Sequence, residues 1–119
     1  MKLLSIVLLV TVLSLALVGP AFAMEGECDH DPTTIGSLVH CVHHAQEMGH
    51  IANAGVGKAL LAKLNAAQAA VDRGQPAVAV NLLNAFINQV QAQSGVHIGA
   101  THADHMIMHA QSVITELGN

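Results

Sequence analysis

The chain has 119 residues, enough for one domain and one modest core. Four basic residues stand against eight acids, a formal charge of −4 with histidine neutral, which argues against nucleic acid and anionic lipid surfaces as partners. Tryptophan and tyrosine are absent and phenylalanine occurs twice, so stacking platforms for sugars or bases are missing.

The chain opens with Met1-Lys2, a largely apolar run from Leu3 to Val18, Gly19-Pro20 and then Ala21-Phe22-Ala23. One basic residue, an apolar centre and a small-x-small site form the pattern of a secretory signal peptide, with cleavage expected after Ala23. The run is short for a membrane span of about 20 residues. Cys28 follows Glu27 rather than the small residue that a lipoprotein site requires. Cleavage leaves three basic residues against eight acids, a formal charge of −5, and Phe86 as the one aromatic. Residues 24–31 then read as an acidic flexible arm and residues 32–119 as a helical domain.

Asp31-Pro32 is expected to start the first helix, as N-cap and first helical residue. This helix should run to about Met48, with Gly49 ending it and Ile35, Leu38, Val42 and Ala45 as its apolar face. The stretch from Ala54 to Gly95 predicts two further helices joined by a tight turn. In the first of them Val56, Leu60, Leu61, Leu64, Ala67 and Val71 share one face, and Asn53 is placed to cap its start. Gly74 suits the position just past its end, where a left-handed backbone costs glycine little. Pro76 opens the next helix, where no amide donor is needed. There Ala79, Leu82, Leu83, Phe86 and Val90 face one way; Asn81, Asn84, Asn88 and Gln91 cover the other, and Ser94-Gly95 ends the helix. A turn this short makes the pair antiparallel neighbours. After a link, Thr101-x-x-Asp104 has the form of a capping box with Asp in place of Glu. The last helix should reach about Leu117, with Ala103, Met106, Ile107, Ala110, Val113 and Ile114 on its core face. The fold expected is therefore all-α, a small bundle of about four helices around an antiparallel central hairpin.

LLAKLNAAQAAVDRG (60–74) followed by LNAFINQVQAQSG (83–95) resembles the FIMAH domain, a helical module of secreted bacterial proteins. GHIANAGV (49–56) resembles the family's turn into the central helix, and Ala103-Asp104 and Ile107 fit its last helix. The resemblance spans roughly Ile35 to Leu117. It implies a helical module without catalytic residues to carry over, here as a stand-alone, histidine-rich protein.

The histidines depart from that family pattern. There are nine, all beyond the signal segment. His40, His43, His44 and Glu47 fall on one flank of the first helix; His102, His105 and His109 form a stripe on the last. His40/His44 and His105/His109 are i, i+4 pairs, a spacing that brings two side chains near one ion. Imidazole suits Zn, Cu or Ni, so the stripes are candidate metal ligands, with Glu47 or Asp104 as an oxygen donor. A solvated polar face or a weak pH sensor is the plainer alternative. His50 and His97 fall in loops, outside the stripes. The motif HExxH is absent, so a zinc protease is not supported.

Cys28 and Cys41 are an even pair in a chain expected to be exported, which favours a disulfide; thiolate ligation beside the histidines is the alternative. Ser37, Ser94 and Ser112 lack any nucleophile-elbow context, and the acids lie in the arm or stand singly. The expected function is thus non-enzymatic: a secreted or periplasmic binding module for an unknown protein partner, or alternatively a transition-metal buffer. No nucleic acid and no membrane span after cleavage are expected.

Overall fold

The computed structural model describes residues 31–119. The signal segment, most of the acidic arm and Cys28 lie outside these residues. Four helices follow in order: α1 (Ile35–Glu47), α2 (Ala54–Asp72), α3 (Pro76–Gln93) and α4 (Ala100–Leu117). They pack as a ring, α1 on α2, α2 on α3, α3 on α4 and α4 back on α1. The α2–α3 seam is the most extensive and the α4–α1 seam the slightest. The architecture is a small all-α bundle, with isolated bridges as the only β pairing among the described residues.

The apolar spacing explains the core. Ile35, Leu38, Val42 and Ala45 of α1 are buried, as are Leu60, Leu64 and Ala67 of α2 and Ala79, Leu83, Phe86 and Val90 of α3. From α4 come Ala103, Met106, Ala110 and Val113. Val56, Leu61, Val71, Leu82, Ile107 and Ile114, read from the sequence as core, lie at its margin. Phe86 is the largest of the fully buried side chains in the cluster.

The boundaries follow local chemistry. The Asn53 side chain accepts from the Val56 amide at 3.1 Å, capping α2. At the far end Gly74 has φ +71°; its N–H reaches the Val71 carbonyl at 2.9 Å, and the Gln75 N–H reaches that of Ala70 at 2.8 Å. This is the paired closure that a left-handed residue permits. Gly49 ends α1 in the same way, with the His50 N–H on the Ala45 carbonyl at 2.8 Å. Lys63 of α2 donates to the Gln89 side chain of α3 at 2.7 Å, tying the outer edge of the hairpin.

Two starts differ from expectation. Thr34, not Asp31, caps α1: its hydroxyl accepts from the Ser37 amide at 3.1 Å. Asp31 instead accepts from the amide and hydroxyl of Thr33, closing a turn one step before the helix. Helix α4 begins at Ala100 after Gly99, with no side-chain cap, so Thr101 is already helical and the capping box does not form. Ala103 N–H bonds to the Gly99 carbonyl at 2.9 Å, which starts the helical ladder early.

Candidate functional site: a histidine seam between the first and last helices

The loops after α1 and after α3 meet. Ile51 and Ile98 form an antiparallel bridge, and both are buried. The Ala52 N–H bonds to the His97 carbonyl at 2.8 Å and the Gly99 N–H to the His50 carbonyl at 2.9 Å. The Gln93 carbonyl receives the amides of Val96, His97 and Ile98, which folds the second loop tightly. A shallow, open depression of about 240 Å³ lies over this clasp, lined by His50, His97, Val96, Ile98 and loop glycines. Val96 is exposed, as is Met48 just past the end of α1.

The clasp sets His50 against the start of α4. The rings of His50 and His102 stack with centroids 3.6 Å apart and planes 17° from parallel. Burial lowers the His102 pKa first; the nearby imidazoles of His50, His105 and His44 lower it further. Stacked imidazoles at this distance cannot both carry charge cheaply. The Nε2 atom of His102 is buried and has no hydrogen-bond partner among the described residues.

Two turns along α4, His109 points inward. Among the described residues it is a buried polar side chain in an otherwise apolar interior, and its Nδ1 lies 3.7 Å from the Sγ of buried Cys41 on α1. Burial lowers its pKa, while the Thr34 backbone and the Asp31 carboxylate pull the other way. Its Nε2 likewise lacks a partner among the described residues. A neutral ring tolerates such a position better than an imidazolium, whose buried N–H would want an acceptor.

The predicted stripes are therefore drawn together in part. His44 joins His102 and His105, and Cys41 meets His109. His40, His43 and Glu47 lie on the exposed side of α1, and Asp104 is exposed on α4. Among the described residues no three His, Cys, Asp or Glu side chains come together so as to hold a metal ion. The pairing of Cys41 with Cys28 falls on a residue outside those described. His50 is the addition that the sequence missed: spacing along a helix says nothing about a loop residue brought over by a bridge to a second loop.

A small ring of four helices with an apolar centre and a polar clasp defines the molecule as a compact helical module. The FIMAH domain family matches residues 35–115, and the chain belongs to that family. It is a non-catalytic helical domain family of secreted bacterial proteins. No curated protein and no solved structure matches the chain. Among the described residues no helix is long and apolar enough to cross a membrane.

Proposed function

We propose that the chain is an exported, non-catalytic interaction module whose working end is the clasp between its two long loops. The family match across all four helices is the observation that carries this reading. The clasp supports it by its make-up: exposed Val96 lines a shallow depression bordered by His50 and His97. Apolar side chains held out on a rigid backbone suit contact with another protein. Export follows from the segment 1–23, and the purified secreted form should begin at Met24 on N-terminal sequencing. A photocrosslinker in place of Val96, activated in the source cells, should give one discrete adduct with a second protein. Metal capture through His40, His43, His44, Glu47, His102, His105 and His109 is the competing reading. Absence of an adduct, with tight whole-number binding of Zn(II), Cu(II) or Ni(II) in calorimetry at pH 7.5, would replace the first reading with the second.

A further inference from the structure

Helix α4 is held to α1 by the slightest seam in the bundle, and histidines of α4 lie along it. Near the start of α4 His50 and His102 stack face to face; two turns further along, His109 is buried against Cys41. The backbone clasp, Gly99 N–H to the His50 carbonyl, ties the first of these contacts to the loop that feeds α4. We propose that this seam is an acid-sensitive latch, closed by neutral His102 and His109 and released when they take up protons, so that α4 parts from α1.

The surroundings of both rings favour that outcome. His102 faces His50 from the loop after α1, His44 from α1 and His105 from its own helix, and these neighbours disfavour a proton on His102. His109 faces Cys41 from α1; burial disfavours its charged form, and among the described residues Asp31 and the Thr34 backbone favour it. Helix α3, the other element packed on α4, has no ionisable side chain between Pro76 and Gln93 and supplies no counter-charge. A protonated Nε2 on His102 would bury a donor that has no acceptor among the described residues.

The sign follows from linkage. Both rings have lowered pKa values when closed, whereas an opened seam returns them toward the ordinary 6.5. The open form then binds more protons, and acidification favours it. The closed form is fully favoured above pH 6.5 and loses ground as pH falls from there toward the depressed values. The hairpin α2–α3 carries no histidine and should not respond.

Hydrogen exchange of the purified protein in EDTA, at pH 7.5 and pH 5.0 and corrected for intrinsic rates, tests the latch. Protection in α4 and α1 should drop on acidification, by up to about tenfold per pH unit for each coupled histidine. Protection in α2 and α3 should hold. In the double variant His102→Gln/His109→Gln the acid-dependent part should vanish, whereas exposed His43→Gln should respond like the parent. The single variant His102→Gln, at a half-buried site, should keep only the part due to His109 and serves if the double variant does not fold. Equal loss in all four helices, or an unchanged acid response in His102→Gln, would overturn the proposal.

Discussion

The α2–α3 hairpin and the α4–α1 seam occupy opposite sides of one ring and are built from different chemistry. The hairpin closes on Leu60, Leu64, Leu83, Phe86 and Val90, all fully buried, with a Lys63–Gln89 bond at its edge. Its attraction is hydrophobic and changes little with pH. The helices of the seam bury apolar residues too, Leu38 and Val42 on α1 and Met106 and Ala110 on α4, but α4 also buries His109 and stacks His102 on His50. Its stability therefore depends on whether imidazoles are neutral. One bundle thus joins a side indifferent to acid to a side that answers to it.

The largest effect that would break the comparison is in the core. Phe86→Ala should cost about 3–5 kcal/mol in denaturant unfolding, because both the transfer of the ring and the cavity count. That loss should be the same at pH 7.5 and pH 5.5, since neither helix of the hairpin carries a histidine. Next comes acid itself: thermal melting temperature should be flat above about pH 7 and fall below 6.5, where the unfolded histidines bind protons and His102 and His109 resist them. A melting temperature that rises on acidification would reverse the assignment of the seam. Smaller effects sharpen the boundary. Gly74→Ala forces a side chain into φ +71° and should cost about 1–2 kcal/mol in urea unfolding, all of it on the hairpin. Asn53→Ala removes the cap of α2 and should cost about 1 kcal/mol in the same measurement.

Much of the hairpin was legible in the sequence because its determinants are local. Apolar spacing, Asn53 as a cap, Gly74 past the end and Pro76 at the start each act within a turn or two of their own position. The first-helix core face, Ile35, Leu38, Val42 and Ala45, was legible for the same reason. The starts of α1 and α4 were not, because several residues compete for them. Asp31 bonds to Thr33 and leaves the cap to Thr34, while Gly99 lets α4 begin ahead of Thr101. The seam was half legible. Stripes on two helices show which histidines can meet, and His44 and His105 did come near His102. That His109 turns inward onto Cys41, and that His50 rather than a stripe residue stacks on His102, depends on how α4 rotates and on a bridge between two loops. Neither is encoded in spacing along one helix.

The most direct measurement is an NMR titration of the histidine ring protons from pH 8.5 to 4.5 in EDTA. His102 and His109 should titrate with midpoints below the ordinary 6.5, set first by burial and, for His102, by the imidazoles around it. Midpoints at or above 6.5 for both would mean that the folded seam welcomes the proton, and the account of an acid-sensitive side would be contradicted.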